Sequence, residues 1–468
     1  MTVSILDFIV CAAALALLAL VYRYERTPRD STPSVKGNLV SLGPGYAFYA
    51  RRAPFLDECR IRYGSSFKFA IGLWNNMHII SSPSDLKSFF FNPRLDQKEL
   101  HFRAMVALGS AGDRDLLTII HEHFLPSFAR KLSRRSVAEE ITTPLYTELR
   151  RRLEKIPPRA QHRLSDLTAE TLYDTLSRLS FGPSFPRDTF ADFVVLDRGV
   201  NALMGPFAFA ARPAKRARAR LLAVMEAYIV QTADRVDESD ALVASALQSI
   251  RALRVPLREK AVCLLSLLWG IHSNLLKSVW WLTACLARDA DARRLLAHEM
   301  SATDTGAGKA GATRDPYAIF DGFPLLDAAI TETLRLCTLP GSVRVPVADG
   351  ALEVPLHDGG RFYARAGDMI MADIRQQHLS DAVYPDAATF KFDRFYRAPD
   401  VPKILSWGFG PHMCKGKVFA HHVMKVWALA LLQTYDFSTA DALPALAPES
   451  ANVVADPAGD ISVALRRR

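Results

Sequence analysis

The chain has 468 residues, 49% apolar and 23% charged, with 58 Lys+Arg against 49 Asp+Glu and a formal net charge of +9. That balance excludes a disordered tail protein, a collagen-like fibre and a polytopic membrane protein. Six cysteines without a C-x-x-C pair exclude a disulfide scaffold and a zinc ribbon, and the modest positive excess fits a membrane surface or an acidic protein partner, with no nucleic acid expected.

Ile5 to Val21 reads ILDFIVCAAALALLALV, interrupted only by Asp7 and followed by Arg23 and Arg26. This is the short end of a membrane span. No positive charge precedes the run, as a cleaved secretory signal requires, and the following arginines place the rest of the chain in the cytosol. Residues 1–22 are therefore expected to form a single-pass membrane anchor. Residues 23–45, with Pro28, Pro33, Gly37, Gly43, Pro44 and Gly45, should form a stiff non-helical connector, and 46–468 one large domain. In a cytosolic body the cysteines stay reduced.

Phe67 to Ser81 (FKFAIGLWNNMHIIS) predicts two strands around Trp74-Asn75-Asn76. From Asp115 to Met300 helical patterns dominate, broken at Ile156-Pro157-Pro158 and at Phe181-Gly182-Pro183. The apolar stretch Asn201 to Ala211 precedes Arg212, Lys215, Arg216, Arg218 and Arg220. Two readings are open: a second contact with membrane lipid, or a loop packed inward beside a solvated helix face. Val262 to Cys285 is long enough to cross a bilayer, but His272, Ser273, Asn274 and Lys277 sit in its middle. It reads instead as the core of a buried helix from Leu257 to Arg288, roughly 45 Å long, whose polar groups meet at one place. Ser301 to Pro316 reads as a surface loop. Strand patterns return at Val343 to Pro355 and Arg361 to Ala372, and a helix from Cys414 to about Tyr435 leads into a β-rich tail. The fold class is mainly α with small β-sheets.

The sharpest local pattern is Trp407-Gly408-Phe409-Gly410-Pro411-His412-Met413-Cys414-Lys415-Gly416, with an aromatic, Gly, Cys and Gly at offsets 0, 3, 7 and 9. Glycines let a backbone approach a flat ligand closely, and a Cys opening a helix has its thiolate stabilised by free N–H groups. A lone thiolate, with no second Cys or His at zinc spacing, suits a single axial bond to haem iron. The segment resembles the haem-binding loop of the cytochrome P450 superfamily, F-x-x-G-x-R-x-C-x-G. Trp407 stands for the Phe, and His412 for the Arg that usually contacts a haem propionate.

The resemblance implies a cytochrome P450 fold preceded by an N-terminal transmembrane helix, holding haem b (heme b) with Cys414 as its axial thiolate. It places Trp407 against the sulfur, and Arg344 and His412 at the propionates. It also joins Glu332 and Arg335 to Arg394 of the Pro385–Phe395 segment in a buried lock. The family's propionate-binding Trp has no counterpart between Asp115 and Phe128, which leaves His121 or His123 as the candidate donor.

Family monooxygenases carry (A/G)-G-x-(D/E)-T midway along the long helix, an acid–alcohol pair that relays protons for dioxygen cleavage. Here the run is Ile271-His272-Ser273-Asn274-Leu275, so Asn274 replaces the acid and Leu275, which moves no proton, replaces the threonine. The flanking Leu-Trp-Gly-Ile-His-Ser-Asn is similar to the sterol 7-hydroxylase and prostacyclin synthase branch. Prostacyclin synthase also has an apolar residue at the threonine and rearranges an endoperoxide without dioxygen or reductase.

Three readings follow. The first is a monooxygenase of the endoplasmic reticulum membrane, its catalytic domain cytosolic. It would oxidise a small apolar substrate with dioxygen and electrons from NADPH–cytochrome P450 reductase, in secondary metabolism, with protons from water, a substrate hydroxyl, Ser273 or His272. The second is an isomerase or dehydratase acting on a peroxide. The third is a non-catalytic haem-binding module. Asn274, Leu275 and His272 are the catalytic candidates, Ile271 to Leu275 should line the cavity above the haem, and Lys403, Lys415 and Lys417 should face the reductase.

Overall fold

A computed structural model describes residues 30–36, 42–71, 75–158, 161–205, 211–232, 244–304, 322–347, 350–450 and 452–468, with the single residues 208 and 242. The expected anchor at 1–22, Trp74 of the expected hairpin turn, and residues 305–316 of the expected surface loop lie outside them.

The domain takes up the chain before residue 46. Val35 N–H donates to Lys68 O at 2.8 Å and Ser31 N–H to Arg361 O at 3.0 Å. A helix then spans Leu42–Ala50, across the Gly43-Pro44-Gly45 that reads as connector in the sequence. Pro44 lies in its first turn, where a missing N–H forfeits no intrahelical bond.

Among the described residues the strands form three sheets. The largest has the order β1 (Ser66–Ala70), β2 (Asn76–Ile80), β8 (Met369–Ala372), β5 (Ser342–Pro346), β3 (Leu95–Asp96). The predicted hairpin is its edge, with Ser66 opposite Ile80 and Ala70 opposite Asn76. β4 (Gln161–Arg163), β10 (Ser462–Arg467) and β9 (Tyr435–Ser438) form the second sheet, in that order. β6 (Leu352–Pro355) and β7 (Arg361–Ala364) form the third.

The helix Leu257–Arg288 has the bounds that its periodicity predicts. It packs against helices Leu164–Phe181, Arg212–Gln231, Pro324–Cys337 and Lys417–Thr434 and is buried along most of its length, a core helix. Its polar residues do not meet at one place. Ser273 and Lys277 turn to Asp197, which takes the Lys277 ammonium at 2.6 Å, Trp269 Nε1–H at 2.8 Å and Asn452 Nδ2–H at 3.1 Å. His272 turns to another helix, its Nε2 3.2 Å from Ser177 Oγ and its ring 4.6 Å from that of Tyr173. Asn274 Oδ1 accepts Val454 N–H at 2.9 Å. Successive helical residues point about 100° apart, so neighbours in sequence cannot share a face.

Of the basic residues after the apolar stretch, Arg218 donates to Ala107 O at 2.7 Å and Arg220 pairs with Asp192, whereas Arg212, Lys215 and Arg216 are exposed. Residues 206, 207, 209 and 210 of that stretch lie outside the described residues.

Candidate active site

The loop before helix Lys417–Thr434 is wound by its own backbone. Gly408 N–H donates to Leu405 O at 2.8 Å, Met413 N–H to Gly410 O at 3.1 Å, and Cys414 N–H to Trp407 O at 2.8 Å. Gly408 and Gly410 both have φ +69°, a left-handed conformation that costs other residues strain. At Gly410 a Cβ would also stand 2.7 Å from Phe90 O. The loop is pressed against helix Pro83–Phe91, with the Phe409 ring edge-on to Phe91 at 5.5 Å.

Four of the five described cysteines are buried, and Cys414 is exposed. Its accessible surface belongs to a cavity of about 220 Å³ that Trp407, His412, Gly416 and Phe419 also line. Gly270, Ile271, Asn274, Leu275 and Ser278 of the long helix form the wall facing the loop residues. Protein around the thiol raises its pKa by desolvation, against the opposing pull of the Gly416 N–H and Lys415. His272 and Ser273 line none of this cavity, which corrects their sequence assignment to its wall. His272 is a core histidine whose Nδ1 lies 2.9 Å from Leu268 O, and burial lowers its pKa to about 4.

Arg344 on β5 is 1% exposed. Its Nη1 donates to Val343 O at 3.0 Å, and its Nη2 has no hydrogen-bond partner. The guanidinium lies over the Phe89 ring at 5.3 Å, and burial lowers its pKa to about 10, so it remains a cation. His412 Nε2 is 3.9 Å from Asp96 Oδ1, and burial and the charge of Arg344 lower its pKa. A buried cation with an unused donor, near a histidine on the cavity wall and a lone accessible thiol, fits a flat macrocycle bearing carboxylates.

Behind the loop, Glu332 is fully buried and accepts Arg335 Nε and Nη2, each at 2.8 Å. Arg394 Nε donates to the same carboxylate at 3.0 Å, and its Nη1 reaches Pro385 O at 2.6 Å. The structure thus brings together three residues that are 62 positions apart at their widest.

Residues 35–460 match the cytochrome P450 family. The chain belongs to that family. Cytochrome P450 7A1 of Sus scrofa is 24% identical over 475 residues, 93% of this chain and 92% of that one. Prostacyclin synthase of Bos taurus is 28% identical over 185 residues, 36% of this chain and 37% of that one. The retinoic acid-bound cyanobacterial CYP120A1 has a similar fold, with a TM-score of 0.72 at 21% identity over 93% of this chain and 99% of that one. The protein is a haem-dependent oxidoreductase of a monooxygenase family whose members hold iron through an axial cysteine.

His121 lies in a π-turn, Ile120–Phe124, and is not among the residues that line the Cys414 cavity. Its ring packs on His101 at 5.3 Å and on Phe102 at 6.0 Å. His101, on helix Lys98–Ala107, lines the adjoining cavity and lies within electrostatic reach of Arg344 and His412. Burial, then the charge of His121, lowers its pKa to about 4 and keeps the ring neutral at neutral pH. No motif marks His101 in the sequence; only the pairing of β3 with β5 carries its helix beside Arg344. The adjoining cavity, about 310 Å³, shares Gln97, Asn274, Gly341 and Val453 with the Cys414 cavity.

Proposed function

We propose that this P450 is a membrane-anchored monooxygenase that inserts one atom of dioxygen into a small apolar substrate, in secondary metabolism. Electrons would come from NADPH–cytochrome P450 reductase at the endoplasmic reticulum membrane. The observation that carries this reading is one cavity with Cys414 on its wall and Ile271, Asn274 and Leu275 facing the loop, sharing four wall residues with a second, larger chamber. Cys414 is assigned as the axial thiolate, Arg344 and His412 as propionate donors, and Trp407 as the aromatic beside the sulfur. Residues 1–22 would anchor the chain in lipid, with a connector leading to the domain. The exposed Lys403, Lys415 and Lys417 would receive an acidic reductase face.

Haem-thiolate supplies oxidising chemistry at its iron once bound. The chain's own residues shape what enters and which protons arrive. Leu275, 4% exposed, gives the cavity an apolar wall where an alcohol would hold water. Asn274 has its carbonyl committed to Val454 N–H, so Nδ2 is the donor end of the amide left for a ligand. Ser273 and His272 point into other networks, so protons reach this cavity through solvent in the adjoining chamber or from the substrate.

Leu275 also favours a second reading, isomerisation of a peroxide that already carries its oxygen, as does the similarity to prostacyclin synthase. Heavy-dioxygen labelling separates the two in cells that make the precursor and co-express the reductase. Labelled product that disappears without the reductase supports monooxygenation. Unlabelled product formed without reductase overturns it in favour of rearrangement.

A further inference from the structure

The adjoining chamber is apolar along much of its wall, with Met77, Leu100, Met204 and Met371, yet it carries a concentrated charge of one sign. Arg52 and Arg103 both line it, and no Asp or Glu does among the described residues. Arg52 is 8% exposed, and its guanidinium lies 4.9 Å from the centroid of Phe48, which lines the same chamber. Burial lowers its pKa to about 10, so it is still charged at neutral pH. Arg103 Nη1 reaches the sulfur of Met369 on that wall at 3.9 Å. Its Nε is 3.6 Å from Glu99, but Arg114 holds that carboxylate more closely, at 2.9 Å, and Glu99 is not among the residues that line the chamber. The Tyr49 phenol, also on the wall, lies within electrostatic reach of both guanidiniums.

Neither Arg52 nor Arg103 lines the Cys414 cavity, and neither is among the charges that act on Arg344 or His412; both act on Tyr49. A low-dielectric chamber lined by one sign of charge attracts the opposite sign, and a guanidinium fork matches a carboxylate through two parallel hydrogen bonds.

We propose that Arg52, with Tyr49 and Arg103, binds the carboxylate of a long apolar acid and so directs its distal carbons toward Asn274 and the Cys414 cavity. The proposal rests on reading the chamber as the substrate site of a monooxygenase, and it narrows the substrate class to amphiphilic carboxylic acids.

The test uses purified haem-loaded protein and two probes of equal length, hexadecanoic acid and hexadecan-1-ol, titrated by calorimetry and by the Soret shift. The acid is expected to bind at least about tenfold tighter, the worth of a charge-assisted hydrogen bond. Arg52→Gln should erase that preference while leaving haem content and affinity for the alcohol unchanged, and Arg52→Lys should keep part of it. Should Arg52→Gln fail to fold, Arg103→Gln at the chamber's edge is expected to reduce the same preference. Equal binding of acid and alcohol overturns the proposal. So does a preference that survives both glutamine variants, or loss of haem from Arg52→Gln, which would assign that guanidinium to the propionates. Calorimetry does not depend on turnover, so the two readings fail separately. Arg52-dependent acid binding without oxidised product keeps the carboxylate site and removes the monooxygenase. Oxidation of acid and alcohol with equal affinity does the reverse.

Discussion

His378 Nε2 accepts the backbone N–H of Leu405 at 2.9 Å, while the carbonyl of His378 accepts Arg335 Nη1. One residue thereby ties the buried Glu332–Arg335–Arg394 lock to the chain entering the Cys414 loop, because Leu405 O in turn accepts Gly408 N–H. His378 is fully buried, and burial, followed by the charges of Arg335 and Arg375, lowers its pKa to about 3. The neutral ring keeps Nε2 as an acceptor. His378→Ala removes that acceptor and is expected to cost about 1–3 kcal/mol, with weaker retention of haem. Thermal melts and the ratio of haem to protein absorbance check this. No change in either would mean that the loop is held without the imidazole.

Gly410→Ala tests the loop from the other side. At φ +69° an L-residue pays about 1–2 kcal/mol in backbone strain, and here the new methyl meets Phe90 O at 2.7 Å, so the loop or helix Pro83–Phe91 must move. The variant is expected to melt lower and to lose haem with Cys414 still present. Gly459→Ala, with nothing within 4 Å of its new methyl, is the control and should behave as the parent. Equal haem content in both variants would show that the close approach at Gly410 is dispensable.

Features set by local spacing were legible in the sequence: the long helix, the β1–β2 hairpin and the loop around Cys414. The Glu332–Arg335–Arg394 lock was legible because the resemblance named the segment supplying its second arginine. Directions of side chains from the long helix were not. A period of 3.6 shows that residues 272–274 are helical, but it does not say which neighbour each one meets, and Asp197 and Tyr173 come from other helices. The cationic chamber was equally hidden, since Tyr49, Arg52 and Arg103 come from three separate helices and share no motif. Gly43-Pro44-Gly45 misled for a simpler reason. Breakers stop a helix interior, not its first turn.

Leu275→Thr places a hydroxyl on the cavity wall beside Asn274. Removing buried apolar surface is expected to lower stability by about 1–3 kcal/mol. If the proposed monooxygenase is limited by proton supply at this wall, product formed per NADPH consumed should rise in the same variant, measured with reductase in a reconstituted membrane. A stability loss with no gain in coupling would count against monooxygenation, because a site that rearranges peroxides has no use for the added donor.

Acid should destabilise the fold through its buried histidines. His272 and His378 are fully buried, with pKa values lowered from 6.5 to about 4 and about 3. Both folded values lie below the unfolded one, so between them the unfolded chain binds more protons. The stability that each neutral ring contributes is complete above about pH 6.5 and is lost as pH falls toward 4 for His272 and 3 for His378. The slope reaches about 1.4 kcal/mol per pH unit for each group. Urea midpoints at several pH values from neutrality downward should therefore fall steeply for the parent and less steeply for His272→Gln, which cannot titrate. Because His272 faces Ser177 and Tyr173 and lines neither cavity, the pH–rate profile of that variant should keep its shape. A profile that shifts while the stability slope does not would instead put this imidazole on the path of the reaction.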